Sequence, residues 1–318
     1  MMKQSRDVYS VLKYAVQLLT DSGLSDAKAS AETLLSFVLN TSRSKLPLIR
    51  NQKLSEKEIS VFNDYILRRS KREPAAYITG FCGFMGYEFS VNKNVLIPRP
   101  ETELLVEEVL KLKYSYSCHS GLDPESIVSK NNSLFLKFLK NANVDSRFCG
   151  NDGKVVLDLC TGSGCIAVSL AKSGLFEKIT AADISDKALE TAVKNADLNG
   201  VKNIEFIKSD VFENLAGRKF DIIVSNPPYI SQEERERLEP ELGFEPVIAL
   251  IAPNDGLFFY RKIAEQAKLY LNQGGIILLE LNANKSAEIK KIFQDAGFED
   301  VKIIKDYSDL DRILKIRT

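Results

Sequence analysis

The sequence predicts an α/β protein: a mostly parallel sheet with helices on both faces, together with a small all-helical N-terminal domain joined to it by a β-hairpin. Three observations lead there. Residues 1–80 carry helical periodicity throughout. Residues 81–97 are rich in glycine and aromatics and then alternate as strands do. From residue 153 onward, short apolar runs alternate with helical stretches, the pattern of parallel strands and crossover helices buried on both sides.

Within 1–80, Val8, Val11, Leu12, Ala15, Leu18 and Leu19 recur at helical spacing. Ala27, Ala31, Leu34, Leu35, Val38 and Leu39 do the same after Ser25–Asp26, a helix-capping start, and Ile59, Phe62, Tyr65 and Ile66 mark a third helix. This segment holds 13 basic and 8 acidic residues. The densest basic cluster, Arg68, Arg69, Lys71 and Arg72, reads as a solvated helix end, with an anion-docking surface as the alternative. Tyr87–Val91 and Val95–Ile97 read as the hairpin, stopped by Pro98 and Pro100, and Glu101–Lys113 as a helix with acids in its first turn. Strands follow at Val155–Leu159, Ile179–Ala182, Ile204–Ile207, Phe220–Val224, Gly275–Leu281, Val301–Ile304 and Ile313–Ile316. Helices are expected at Cys165–Lys172, Asp186–Leu198, Leu257–Leu271 and Ser286–Ala296. Residues 115–152, rich in Ser and Asn, do not fit this alternation and read as an insert, neutral or lid-like.

Composition narrows the chemistry. A length of 318 residues fits about two domains of roughly 150 residues each. The 44% hydrophobic and 27% charged content excludes disorder over most of the chain. With 43 basic and 43 acidic residues, the chain lacks the surplus of a protein that coats nucleic acid, so no stable nucleic-acid binding is expected. No apolar run approaches the ~18 residues of a membrane span, and no secretory signal is expected at MMKQSRDVYS. Five cysteines without a CxxC pair fit a reducing, cytoplasmic setting. His119 is the single histidine. Mechanisms needing two histidines, including most zinc hydrolases, are therefore excluded, and no metal site is expected. Cys118, His119 and Cys149 all fall in the insert and match no common zinc spacing. A monomer is expected.

The run Val155-Val156-Leu157-Asp158-Leu159-Cys160-Thr161-Gly162-Ser163-Gly164-Cys165 is a strand, a glycine turn and a helix start, a Rossmann-like arrangement in which a ligand touches the backbone. Asp183 follows Gly164 by 19 residues at the end of the second strand, placed to accept from both ribose hydroxyls of an adenosine-containing cofactor. Gly162-Ser163-Gly164-Cys165-Ile166-Ala167 also satisfies the G-x-G-x-x-A pattern of nicotinamide enzymes. Asp158 favours the other reading: an acid near the turn repels a pyrophosphate but attracts the ammonium and sulfonium of S-adenosyl-L-methionine. Asp210, after the third strand, is expected to accept from the adenine amine, or else to cap its loop.

The fourth strand ends in Asn226-Pro227-Pro228-Tyr229. Two prolines make a stiff turn without N–H donors. Its outward carbonyls and the Asn226 oxygen form a rigid set of acceptors at the carboxyl end of a strand, where open α/β sheets bind ligands. Such a set suits a planar –NH2 group. Asn226 and the Pro227 carbonyl would orient both N–H groups, and Tyr229 adds a flat ring. Positioning and acceptors where positive charge develops supply the rate, with no histidine base.

This turn is shared by amino-group methyltransferases acting on adenine, guanine and glutamine. Glu73-Pro74 with Tyr77-Ile78-Thr79-Gly80, Leu96-Ile97-Pro98-Arg99-Pro100-Glu101-Thr102-Glu103, Leu157-Asp158-Leu159 and Phe244-Glu245-Pro246 narrow the match. Together they resemble the PrmC/HemK family, the release-factor glutamine methyltransferases, over nearly the whole chain except 115–152. The resemblance implies a helical domain, 1–80, that docks the release factor, a hairpin linker, 81–97, and a class I methyltransferase domain, 98–318. It implies S-adenosyl-L-methionine as methyl donor, S-adenosyl-L-homocysteine as product, and transfer to the amide nitrogen (N5) of glutamine in a Gly-Gly-Gln motif. By position, Cys160, Thr161, Gly162, Ser163 and Gly164 form the cofactor loop and Asp183 holds the ribose. Asn226, Pro227, Pro228 and Tyr229 bind the glutamine amide, and Asn226 also touches the cofactor. Cys160 stands where the family has Gly and is expected in ordinary β conformation, without strain. Val211 falls where the family often has an aromatic at the adenine, and gives up that stacking. The alternatives are methylation of adenine in DNA or of ribosomal RNA, which the zero net charge disfavours, and a non-catalytic cofactor-binding scaffold, against which the intact NPPY turn stands.

Overall fold

The computed structural model describes residues 6–114 and 153–318; the expected insert, with Cys118, His119 and Cys149, lies outside them. By contacts the chain falls into two units, Met1–Phe81 with Glu239–Phe244, and Cys82–Leu238 with Glu245–Thr318.

The first unit holds α1 (Val8–Asp21), α2 (Ala27–Val38), α3 (Glu56–Ser70) and the short α4 (Ala75–Thr79). Asp7 caps α1 by accepting the Ser10 N–H at 2.9 Å. Ser55 and Glu58 form a reciprocal capping box on α3. Asp26 precedes α2 but caps nothing; its carboxylate accepts from the Ser30 hydroxyl and the Arg69 guanidinium instead. The periodic residues meet in one core of Val11, Ala15, Leu19, Leu34, Leu35 and Phe62, each fully buried.

The basic cluster of this unit is not a solvated helix end. Arg69 is 4% exposed and donates to Ser30, Asp26 and Glu241. Arg68 binds Glu73 through two nitrogens, both at 2.8 Å, and Arg72 reaches Glu241 and the Gly23 carbonyl. Lys71 alone of the four stays exposed. Three of the four charges thus tie the helices together, a role that sequence spacing cannot distinguish from solvation because the acids lie up to 172 positions away.

The second unit begins with a hairpin of β1 (Phe81–Phe84) and β2 (Tyr87–Ser90), turned by Met85 and Gly86, both at positive φ. The hairpin ends earlier than the sequence predicts. Val95–Ile97 forms no strand, because prolines 98 and 100 remove ladder donors and the Ile97 N–H is spent on the Glu245 carboxylate at 3.0 Å. Next come α5 (Pro100–Tyr114), β3 (Val155–Leu159), α6 (Cys165–Lys172), β4 (Lys178–Asp183), α7 (Asp186–Leu198), β5 (Ile204–Lys208) and β6 (Phe220–Ser225). Short helices α8 (Gln232–Arg235) and α9 (Val247–Leu250) precede α10 (Phe258–Gln266), β7 (Leu271–Glu280), α11 (Ser286–Asp295), β8 (Asp300–Lys305) and β9 (Asp311–Arg317).

Seven strands form one sheet in the order β5-β4-β3-β6-β7-β9-β8. Neighbours are parallel from β5 to β7, and β9 runs antiparallel between β7 and β8. The mostly parallel α/β class predicted from the alternating pattern is the fold observed. Both faces are buried, as the apolar runs require: Val156, Ile222 and Val224 pack on one side with α5 and α6, and Leu157, Ile223 and Leu279 on the other with α10 and α11. The strand order reverses between β3 and β6, and such a switch point opens a crevice at the carboxyl ends of the strands.

Arg69→Met is expected to destabilise the helical unit by about 2–3 kcal/mol, because Asp26, Ser30 and Glu241 lose their shared donor. Lys71→Ala is expected to stay within about 0.5 kcal/mol. Thermal unfolding of the two variants checks this; equal losses would show the cluster to be solvated.

Candidate active site

Register builds the site. Leu159 of β3 pairs with Ala182 of β4 and with Ser225 of β6, and Ser225 pairs with Leu279 of β7. One residue further on, Asp183, Cys160, Asn226 and Glu280 stand in a row at the carboxyl edge. The solvent-open cleft there is lined by Cys160, Gly162, Asp183, Asp210, Val211, Asn226 and Pro228, together with the apolar Ile184, Ile248 and Phe258. Asp158, Thr161, Ser163, Gly164, Pro227 and Tyr229 are not in its wall.

The loop after β3 is held from below. Asp158 is fully buried and accepts from the Thr161 hydroxyl at 2.6 Å and the Ala167 N–H at 3.2 Å. Its Oδ1 is buried without a partner among the described residues. Burial pushes its carboxyl up to about 7, against the pull of those two hydrogen bonds. Asp183 accepts the Gly162 N–H at 2.8 Å and the Ser185 N–H at 2.9 Å, one on each oxygen. Burial raises it as well. Asn195, fully buried on α7, donates to the Ser163 and Ser90 carbonyls at 2.8 and 3.0 Å. Nothing local in the sequence marks Asn195. Gly164 has φ +78°, and a Cβ there would come within 2.9 Å of the Ala192 Cβ, so the loop-to-helix turn needs glycine on both counts.

One expectation fails on backbone geometry, and a second residue shares the conformation. Cys160 is not in β conformation but at φ +57°, and Val211 stands at φ +53°, both in the left-handed region that glycine favours. The chain must turn sharply as it leaves each strand, and the residues present accept that strain. Asp210 is not free for a ligand alone: Lys262 of α10 sits 2.7 Å from its Oδ2. Lys262 carries no sequence signal, because the pairing crosses the β6 connection.

The turn after β6 is clamped from three sides. Ile230 donates to Leu250 and its carbonyl accepts from Ala252, at 3.0 and 2.9 Å. Gly256, at φ +82°, lies so close that a Cβ would meet the Tyr229 carbonyl at 2.6 Å. The Asn226 Nδ2 donates to Thr102 Oγ1 at 3.1 Å, and the Tyr229 hydroxyl to Glu280 Oε1 at 3.3 Å. Burial and the neighbouring Glu280 charge hold the Tyr229 phenol protonated, well above its ordinary range. Glu245, 4% exposed, accepts from the Ile97 N–H and binds the Arg99 guanidinium. Thr102 and Glu245 lie within motifs that the sequence singled out, whereas Glu280 lies in none. Among the described residues no group of three His, Cys, Asp or Glu is placed to hold a metal.

Two protein families match the chain: PrmC N-terminal domain over residues 10–80 and Methyltransferase small domain over residues 125–241. A release factor glutamine methyltransferase of Chlorobaculum tepidum is 36% identical over 96% of this chain and 95% of its own length. One of Thermodesulfovibrio yellowstonii is 34% identical over 89% and 90%. A bifunctional methyltransferase of Rickettsia bellii is 37% identical over 97% of this chain, which spans 55% of that longer protein.

Two stability predictions arise from the loop. Cys160→Gly relieves a positive φ and is expected to remain within about 1 kcal/mol of wild type, whereas the branched Cys160→Val is expected to lose about 2 kcal/mol or more; urea unfolding of the two variants checks it. Asp158 has an ordinary value of 3.8 when unfolded and is raised to about 7 when folded. The native state therefore keeps a proton that the unfolded chain releases. Stability falls as pH climbs through that window and levels off above it. Asp158→Asn, which cannot ionise, is expected to gain about 3 kcal/mol relative to wild type between pH 4 and 7.5, read by urea unfolding across that range.

Proposed function

The chain belongs to the family of release factor glutamine methyltransferases, and we propose that it transfers a methyl group from S-adenosyl-L-methionine to the side-chain amide nitrogen (N5) of the glutamine in the Gly-Gly-Gln motif of peptide chain release factors. The observation that carries this reading is the placement of Asn226 at the sheet's switch point. It lies in the wall of the cleft that also holds Asp183, and in a turn that two prolines and Gly256 make rigid.

The cleft fits an adenosine-containing donor. Each Asp183 oxygen is engaged by one backbone N–H, which leaves lone pairs for a ribose diol. Val211, Ile184 and Phe258 supply apolar walls for a flat base, and Asp210, with one oxygen on Lys262, keeps the other for an exocyclic amine. Cys160 and Gly162 bring the backbone close to the ligand. Thr161, Ser163 and Gly164 shape the loop from behind, and Asp158 acts through Thr161 and Ala167. When bound, S-adenosyl-L-methionine supplies an electrophilic methyl on a sulfonium.

This chain's own work is to present the nucleophile. A glutamine amide nitrogen is a poor one because its lone pair is delocalised. The Asn226 Oδ1 and the Pro227 carbonyl accept its two N–H groups, fix its plane, and stabilise the positive charge that develops on nitrogen. Pro228 denies the turn a donor, so the corner stays an acceptor set. Tyr229, held by Glu280, backs the corner with its ring. The helical unit, residues 1–80, is the part we assign to docking the release factor, and the cytoplasm is where that substrate is met. Among the described residues no helix is long and apolar enough to cross a membrane.

Labelled methyl donor incubated with purified release factor, and separately with DNA, is expected to mark the factor; label on nucleic acid alone overturns the assignment. Asn226→Ala is expected to lower the rate by about a hundredfold or more while donor affinity changes by less than about fivefold. A near-normal rate in that variant would remove the acceptor argument.

A further inference from the structure

The register that places Asn226 just after β6 places Glu280 at the end of β7 beside it, since Ser225 pairs with Leu279. Glu280 is 1% exposed and Thr102, which touches it, 2%. Burying a carboxylate is costly, and an apolar residue of similar size would suit the core better. Glu280 is therefore poorly explained by stability alone. Its hydrogen bonds give it a different use. Thr102 Oγ1 lies 2.7 Å from Glu280 Oε2 and donates to it. Burial raises Glu280, while the Thr102 hydroxyl, the Arg312 charge and the Tyr229 hydroxyl favour its ionised form; against that carboxylate Thr102 spends its one proton and can only accept elsewhere. It accepts from the Asn226 Nδ2 at 3.1 Å. The reverse orientation of that amide would set Oδ1 against an oxygen with no proton left. The other carboxylate oxygen accepts from the Tyr229 hydroxyl at 3.3 Å, and the Glu280 backbone carbonyl from the Tyr260 hydroxyl at 2.9 Å.

We propose that Glu280, acting through Thr102, is the positioning residue that sets which way the Asn226 amide faces, turning its –NH2 toward Thr102 and presenting its oxygen to the substrate. The consequence for substrate rests on the acceptor role given to Asn226 above. An unlatched amide offers –NH2 to the –NH2 of glutamine, donor against donor, and the rate falls with no change in how the factor docks. Glu280→Leu, close in size and without polar atoms, removes both acceptor oxygens, so the Thr102 proton is released and can turn to the Asn226 Oδ1.

The test compares wild type, Thr102→Val, Thr102→Ser and Glu280→Leu. Thr102→Val keeps the shape and removes the hydroxyl. It is expected to lower kcat about tenfold or more, with KM for the factor and donor affinity within about threefold. Thr102→Ser restores kcat to within about threefold, and Glu280→Leu follows Thr102→Val. Without any substrate, hydrogen exchange of the Asn226 side-chain –NH2, followed by nitrogen-15 NMR, is expected to be about tenfold faster in Thr102→Val than in wild type and slow again in Thr102→Ser. Unchanged exchange in Thr102→Val, or equal kcat losses in the Val and Ser variants, overturns the latch. The exchange experiment needs no substrate, so it judges the latch even if wild type leaves the factor unlabelled, a result that would instead overturn the substrate assignment.

Discussion

The site depends on one constraint of the sheet: β3, β4, β6 and β7 end level with one another at the point where strand order reverses. Parallel pairing with a side-chain period of two leaves no freedom once the faces are buried, because a slip of one residue would turn every core side chain to the wrong side. Val156 and Leu157, like Ile222 and Ile223, are fully buried on opposite faces, so the register is locked from both. What the next residue of each strand happens to be then becomes the chemistry of the edge. Asp183, Cys160, Asn226 and Glu280 are neighbours because four hydrophobic ladders stop together.

Polar groups around this edge are held by partners from far along the chain. Asn195 ties the loop after β3 to the end of β2, Glu245 collects the Ile97 N–H and Arg99, and Glu280 gathers Thr102 and Tyr229. Each connection satisfies a backbone or side-chain group that burial would otherwise leave exposed to a low-dielectric core. In the helical unit the same principle governs Arg69, whose charge is matched by Asp26 and Glu241. Rigid loops around a cleft thus come from hydrogen bonds drawn from far along the chain.

Much of this was legible in the sequence where the signal is local. Apolar runs gave the strands, helical spacing gave the helices, and Asp186–Leu198 was bounded to the residue. The residues that line the cleft at strand ends, Asp183, Asp210 and Asn226, follow from strand boundaries and from the type of group each offers. What failed was non-local or conformational. Cys160 occupies positive φ without being glycine, and only glycine advertises that region in a sequence. The hairpin closed before Val95 because its donors went to Glu245, 148 positions from Ile97. Glu280 was invisible because its neighbour Asn226 is set by register, not by spacing.

The antiparallel β9 has a dynamic consequence. By lying between β7 and β8 it makes β7 an interior strand. Breathing of the sheet then begins at its rims, β5 and β8, and must pass β9 before it reaches the strand bearing Glu280. The clamped corner at residues 226–230 rides on that frame, so a change of shape that admits a substrate loop has to come from segments beyond it.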